Sequence, residues 1–330
     1  MAGNSKSIRL LEKWTSGLVL RACPNCGSNN NEIISETMKD GINLPTVICR
    51  ECSLIYTNPV PREDLYNLFY LEAYNDFYIH QDSFTPSLKG TPADISKIIG
   101  MIHDYLPDRN SDILEVGSGS GRFLYYLAEK YPHAIGIEPG SNSSNAKAVH
   151  KLNIIDDFFE AHDFGDQKFN MIIMIHVLEH FYDTDRAISK CRDLLTDNGY
   201  MLIEVPNILK PFRSLDHYFL RYVHPVNYSP ETVKWFLAKR GFQIIYLDSG
   251  GIRGPVPKNI RLVAKKTDKE GNTLVQAQGN YKSVIRKLES KRIEWLLFGQ
   301  FHFMLIGLFR SMRSRLAKSK AGTIIKKLIR

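Results

Sequence analysis

The stretch that decides the fold is DILEVGSGSGRF, residues 112–123. The apolar run 113–116 predicts a buried strand, and residues 122–130 predict a helix with an apolar face. Between them, Gly117, Gly119 and Gly121 occupy alternate positions. Glycine permits positive φ angles and close approach of a ligand, and the N–H groups at a helix start favour an anionic ligand group. Strand, glycine turn and helix in this order predict a nucleotide-binding loop.

The spacing of the glycines distinguishes two classes of such loops. A dinucleotide-binding pattern, G-x-G-x-x-G, would require glycine at position 122, which is Arg122. The pattern that begins at Glu115 is E-x-G-x-G-x-G, and it resembles motif I of the class I S-adenosylmethionine-dependent methyltransferases. The loop alone leaves open the alternative of a tight turn without a ligand.

The next predicted strand supports the cofactor prediction. It ends in Glu138, 17 positions after Gly121. A carboxylate at this point can accept hydrogen bonds from both hydroxyls of a ribose. Asp157 and Phe158 follow the third strand, where the resemblance implies adenine contacts; for Phe158, core packing is the alternative. We therefore predict S-adenosylmethionine as the cofactor.

Alternating strands and helices predict a mostly parallel sheet covered on both faces. The resemblance adds an antiparallel final strand, so we predict an α/β fold with the Rossmann-like, seven-stranded sheet of class I methyltransferases. The predicted strands lie near 112–117, 133–138, 153–156, 170–175, 199–205, 242–247 and 259–265. The predicted helices lie near 91–106, 121–130, 142–151, 184–195 and 229–240.

Four cysteines near the start of the chain predict a metal site. Cys23 and Cys26 form one C-x-x-C pair, and Cys49 and Cys52 form a second. Two such knuckles are typical of a zinc ribbon, with a closed four-sulfur site that is structural. Disulfides are the alternative, but we predict no signal peptide and a cytoplasmic, reducing environment. The fifth cysteine, Cys191, is predicted to lie in the core.

The segment after the second knuckle extends the resemblance over residues 21–265. A ribbon, then Y-T-N-P-V-P at 56–61 and a tyrosine-rich helix, resembles bacterial sugar methyltransferases of cell-surface and antibiotic pathways. The resemblance implies that this segment closes over the cofactor, while an aromatic packing face is the alternative for its tyrosines. These are spaced four apart: Tyr66, Tyr70, Tyr74 and Tyr78.

Histidines at the strand ends are the candidates for a catalytic base. Methyl transfer to a hydroxyl requires removal of a proton, and an imidazole suits that role. The candidates are His176, His180, His217 and His224, and His176 is also expected to line the methionine end of the cofactor. His224 is the first choice, because H-P-V-N-Y-S at 224–229 resembles an element of the sugar methyltransferases.

A second interpretation of these residues involves a metal. Glu179 and His180 with a later histidine resemble the divalent-metal site of small-RNA 2′-O-methyltransferases, although His176 stands where that pattern has glutamate. The alternative is that Glu179 and His180 only orient the loop before the next helix.

The charge of the chain is concentrated at its end. The 330 residues have a net charge of +8, of which residues 281–330 contribute +11, so the body is slightly acidic and nucleic acid is not the expected partner. The apolar stretch 295–309 is shorter than the ~20 residues of a membrane-spanning helix. Apolar and basic residues interleaved there predict a helix on an anionic membrane surface, and packing on the catalytic domain is the alternative.

These observations predict a methyltransferase that O-methylates a small-molecule sugar or a lipid-linked glycan in envelope polysaccharide synthesis, on the inner face of the membrane. An RNA ribose methyltransferase and a sugar C-methyltransferase are the enzyme alternatives, the latter from a resemblance at 250–253. The predicted parts are a lead and zinc ribbon (1–60), a tyrosine-rich linker or lid (61–110), the S-adenosylmethionine-binding domain (111–268) and a basic, apolar helical tail (269–330).

Overall fold

A computed structural model describes residues 5–39, 42–73, 90–140, 147, 150–250, 259–267 and 280–299. The helices are α1 (Ser5–Ser16), α2 (Glu63–Glu72), α3 (Ala93–Tyr105), α4 (Arg122–Ala128), α5 (Thr184–Leu194), α6 (Pro230–Ala238) and α7 (Tyr281–Glu294). The strands before α3 are β1 (Leu18–Val19), β2 (Asn31–Ser35), β3 (Thr46–Cys49), β4 (Ile55–Thr57) and β5 (Val60–Pro61). The later strands are β6 (Ile113–Val116), β7 (Ile135–Ile137), β8 (Ile154–Ile155), β9 (Phe169–Ile175), β10 (Leu195–Pro206), β11 (Val226–Asn227), β12 (Phe242–Asp248) and β13 (Asn259–Lys266).

The main sheet has seven strands in the order β12-β13-β10-β9-β6-β7-β8. The strands from β10 to β8 are parallel, and β13 runs antiparallel to both β10 and β12. The prediction of an α/β, Rossmann-like sheet is therefore confirmed, including its antiparallel last strand. Most of the predicted helix at 142–151 lies outside the described residues.

Strand β9 shows why the sheet is covered on both faces. Its side chains alternate, so that Ile172 and Met174 enter one core with α5 and α6, while Met171 and Ile173 enter the other with α3 and α4. Because both faces are apolar, the strand has no polar side for water.

The cysteine ribbon belongs to a second sheet of four strands, ordered β11-β4-β3-β2. Three of them come from the ribbon, but β11 comes from the segment between β10 and α6, residues 207–228, which we call the insert. Val226 pairs with Tyr56, and Asn227 pairs with Ile55. The ribbon is thus continuous with a segment that lies far away in sequence.

A third core joins the insert to the helices outside the main sheet. The ring of Tyr222 in the insert lies 5.5 Å from those of Trp14 in α1 and Phe69 in α2, in edge-on contacts. The hydroxyl of Tyr66 donates to the backbone oxygens of His180 (2.8 Å) and Val223 (3.0 Å). Tyr66 thus has the packing role foreseen as the alternative, while Tyr74 and Tyr78 lie outside the described residues.

Helix α7, the start of the predicted tail, is fixed to this third core. Leu288 is buried in it, and Arg292 donates two hydrogen bonds to the Asp216 carboxylate and one to the Ile34 oxygen. The chain continues as one π-type turn, Trp295–Gly299, whose Leu296, Leu297 and Phe298 are exposed.

The predicted tail helix lies outside the described residues from position 300 onward. Within the described part of the chain, no helix has both the length and the apolarity needed to cross a membrane. The division of the chain into four parts stays a prediction.

Candidate active site

The glycine loop between β6 and α4 has the backbone that its sequence predicts. Gly117, Gly119 and Gly121 have φ angles of +71°, +52° and +74°, which L-residues rarely adopt. A Cβ on Gly117 would lie 2.4 Å from the side chain of Val177, so the loop packs directly on the exit of β9. A Cβ on Gly119 would meet no atom within 4 Å, so this position borders open space that a ligand can fill.

The predicted ribose acceptor, Glu138, lies against the same loop. It follows β7, is buried, and accepts a hydrogen bond of 3.2 Å from the N–H of Gly119. Glu115, in β6, is buried nearby; burial and the charge of Glu138 raise its pKa well above the usual range. The loop, the start of α4 and a buried carboxylate fit the anionic and ribose parts of S-adenosylmethionine.

The predicted adenine contacts have local partners. The Asp157 carboxylate accepts from the N–H of Phe158 and lies 3.1 Å from Nδ1 of His162. The ring of Phe158 lies 6.3 Å from that of Tyr70, a linker residue, and is half-buried. An adenine role for Asp157 and Phe158 stays a prediction.

A cavity of about 270 Å³ opens at the ends of β9 and β10. We call it the histidine cavity, and it is lined by His176, Glu179, His180, Pro206, Phe212, Tyr218, Phe219, Arg221 and His224. His176 leaves β9 with a φ angle of +57°, an uncommon backbone conformation for histidine that often marks functional sites. Three predicted histidines meet here, whereas His217 is exposed and is not among the lining residues.

His176 is held by carboxylates on both sides of its ring. Nδ1 lies 3.4 Å from Glu179 and Nε2 lies 3.4 Å from Glu204, which is bound in turn by Asn259 and Arg261. Desolvation lowers the pKa of His176, but the two glutamates outweigh it and raise the pKa to about 10. The two carboxylates favour the protonated ring, while the side-chain amide of Asn259 also lies 3.0 Å from Nε2. The role of His176 as a base stays a prediction.

Sequence reasoning did not identify Glu204. The signal was available, since a glutamate within the apolar strand sequence MLIEVP, 201–206, needs a partner when it is buried. Its partners Asn259 and Arg261 lie on β13, which pairs antiparallel with β10 although the two strands are far apart in sequence.

His180 and His224 form the other half of the cavity. Their rings lie 4.6 Å apart in an edge-on contact, and His180 also lies 6.4 Å from the ring of Tyr70. Burial lowers the pKa of His180 to about 4 and that of His224 well below its usual range. Both imidazoles are neutral at pH 7 and can accept a proton, while their catalytic roles stay predictions.

The four ribbon cysteines converge as predicted. The sulfur of Cys23 lies 3.5 Å from that of Cys52, and that of Cys26 lies 3.5 Å from that of Cys49. All four sulfurs lie within 4.8 Å of one another, close to the separations in a tetrahedral site with ~2.3 Å Zn–S bonds. The cluster fits zinc, and Cys191 lies in the main core as expected.

Comparison with known proteins identifies a domain. Residues 93–247 match a family described as a methyltransferase domain. A nonribosomal peptide synthetase from Alternaria alternata is 25% identical over 116 residues, and the chain spans 2% of the length of that curated relative.

The structure is also similar to solved structures at low sequence identity. A 1,6-didemethyltoxoflavin-N1-methyltransferase from Burkholderia thailandensis is 14% identical, with a TM-score of 0.49 over 71% of this chain and all of that chain. An amino pentose methyltransferase from Micromonospora echinaspora is 14% identical, with a TM-score of 0.43 over 57% of this chain and all of that chain.

Substitution of Gly119 tests the cofactor loop. We expect Gly119→Val to weaken S-adenosylmethionine binding at least tenfold in calorimetry, because its side chain would fill the open space beside the loop. The matched control is Gly165→Val, which has a similar φ angle of +56° and equally open surroundings, but lies in the loop before β9. Equal affinity of Gly119→Val and the natural chain would contradict this assignment.

Metal content tests the ribbon. We expect one zinc per chain by elemental analysis of protein purified without chelator, and its loss in Cys49→Ser, because a three-sulfur site binds zinc less tightly. Cys191→Ala is the control and should keep the zinc, since its sulfur lies outside the cluster. A zinc content near zero in the natural chain would show the prediction to be wrong.

Proposed function

With a methyltransferase domain in residues 93–247 as the premise, we propose that this chain transfers the methyl group of S-adenosylmethionine to a hydroxyl oxygen of a sugar or lipid-linked glycan. The prediction that the chain is a methyltransferase is confirmed by that domain. The acceptor, its atom and the roles of single residues belong to the proposal.

The observation that carries the proposal is the position of the histidine cavity beside the glycine loop. Gly117 packs on Val177, and the neighbouring residue His176 lines the cavity. A cofactor on the loop and an acceptor in the cavity would therefore be neighbours, as direct transfer between them requires.

The lining of the cavity supports a sugar acceptor. Phe212, Tyr218 and Phe219 offer aromatic surface, and Arg221 and the histidines offer polar groups at the same wall. Such a pocket can bind a sugar ring, because the aromatic side chains can contact its carbon atoms and the polar groups can form hydrogen bonds with its hydroxyls.

Different residues of the cavity can serve different steps of the methyl transfer. When bound, S-adenosylmethionine supplies an electrophilic methyl group. A protonated His176 can donate a hydrogen bond that orients the acceptor. His224 lines the cavity, and its ring nitrogen can accept the proton that the hydroxyl loses. The insert forms this wall of the cavity through Phe212, Tyr218, Phe219, Arg221 and His224.

The end of the chain supports a membrane role, which would bring the enzyme to lipid-linked substrates on the inner face of the membrane. Ile293, Leu296, Leu297 and Phe298 are all more than half exposed, directly after the part of α7 that is fixed to the protein. Thirteen Lys or Arg residues in 281–330 add attraction to anionic lipids. We therefore propose peripheral membrane contact through the tail.

The pH dependence of turnover tests the proton acceptor. Because burial lowers the pKa of His224, we expect the acidic limb of kcat/KM for a nucleotide-activated sugar to lie at lower pH than that of a histidine with an ordinary pKa. A histidine with an ordinary pKa of ~6.5 would instead lose about tenfold by pH ~5.5. His224→Gln should reduce kcat by a factor on the order of 10² or more.

The control for this test is His103→Gln, on the exposed side of α3, which should leave kcat unchanged. Methyl transfer to RNA and not to sugars would favour the RNA alternative and contradict the proposed acceptor.

Vesicle binding tests the tail. At low salt, we expect the full chain to sediment with vesicles that contain phosphatidylglycerol, and a chain ending at residue 294 to stay in the supernatant. Ending there removes the exposed Leu296, Leu297 and Phe298 and the basic residues that follow, and keeps α7, whose Leu288 and Arg292 are part of the fold. Retention of both chains in the supernatant would contradict the membrane role.

A further inference from the structure

Three side chains of the histidine cavity lie close enough together to bind one metal ion. Glu179, His180 and His224 each present a ligand atom, and these atoms all lie within 4.8 Å of one another. Glu179 and His180 come from the turn after β9, and His224 comes from the insert. Groups of this chemistry, brought together from separate segments, are typical of a metal site.

The carboxylate of Glu179 is buried without hydrogen bonds to the described residues. Its side chain is 2% exposed and lines the cavity, yet neither carboxylate oxygen has a hydrogen bond within the described part of the chain. Its nearest charged group is Nδ1 of His176, 3.4 Å from Oε1. Burial of a carboxylate without hydrogen bonds costs free energy, and a cation in the cavity would offset that cost.

The two histidines are suited to act as ligands. The ring of His180 makes a hydrogen bond to the backbone of Val223, which leaves the other nitrogen for a ligand role. His224 is 6% exposed and contacts His180 edge-on. An imidazole nitrogen with a lone pair is a common metal ligand, and both rings line the cavity.

The site is also rigidly built. The Tyr66 hydroxyl bridges the backbone oxygens of His180 and Val223, so one side chain joins the two segments that carry the ligands. His176 holds Glu179 and is held by Glu204. Such outer contacts fix the orientation of metal ligands before the ion binds.

We propose that Glu179, His180 and His224 bind a divalent transition-metal ion in the histidine cavity. Two histidines and one carboxylate leave coordination positions open. The consequence for catalysis rests on the proposed function. An acceptor hydroxyl that reaches the ion would have a lowered pKa and would lose its proton to solvent water, so the ion would replace His224 as the group that activates the hydroxyl.

The ion Mn²⁺ can test this site separately from the ribbon. Manganese prefers oxygen and nitrogen ligands, whereas the four sulfurs of the ribbon suit zinc. Mn²⁺ would be titrated into the zinc-loaded full chain and followed by the electron paramagnetic resonance signal of the free ion. We expect one Mn²⁺ bound per chain, and at least tenfold weaker binding in Glu179→Gln and in His224→Gln.

The matched control is His217→Gln, an exposed histidine on the same insert, which should bind Mn²⁺ like the natural chain. Thermal unfolding of each variant shows whether it is folded. Absence of Mn²⁺ binding by the natural chain at millimolar concentration, or equal binding by the natural chain and folded Glu179→Gln, would overturn the proposal.

S-adenosylmethionine binding, measured by calorimetry on the same samples, separates this proposal from the proposed function. If the cofactor binds and Mn²⁺ does not, only the metal site is wrong. If Mn²⁺ binds and the cofactor does not, the metal site stands and the proposed methyl transfer fails.

Discussion

The partly buried guanidinium of Arg21 joins three segments that are far apart in the sequence. Its nitrogens donate to the backbone oxygens of Thr57, Tyr182 and Pro225, which belong to the ribbon, the loop before α5 and the insert. It also lies over the ring of Tyr56. Burial lowers the pKa of Arg21, yet a guanidinium keeps its charge in proteins, so three carbonyl dipoles compensate for the lost water. Three segments are therefore held in fixed positions around one cation.

This arrangement explains where the histidine cavity is found. The main sheet supplies His176 and Glu204 at its strand ends, and the insert supplies His224 and the aromatic wall. Neither part supplies all the lining residues of the cavity, and the insert is joined to the ribbon by strand β4 and the contacts of Arg21, and to α2 by Tyr66. The ribbon thus contributes to the site without lining it.

The sequence predicts those features that depend on neighbouring residues. The seven strands, the glycine loop and the two cysteine pairs follow from local spacing, and the structure contains each of them. His176 and His180 follow β9 and lie at the carboxyl edge of the parallel strands, as the sequence predicts, whereas His224 reaches them from the insert.

What the sequence could not predict depends on long-range pairing. Strand β11 has two residues and carries no periodicity, so its partner in the ribbon is known only from the fold. The raised pKa of His176 depends on Glu204 and thus on the register of β10. The sequence around Arg21 gives no sign of its role, because its three acceptors lie 36 to 204 positions away.

The four-stranded sheet, which contains strands of both the ribbon and the insert, also determines which parts of this protein can be inherited or engineered as a unit. Strand β4 has β3 on one side and β11 on the other, so a ribbon transplanted alone would expose one edge of β4 and invite association with other chains. A chimera between related enzymes would therefore need to exchange the ribbon and the insert together. The module is discontinuous in sequence, and recombination at a single crossover point would divide it.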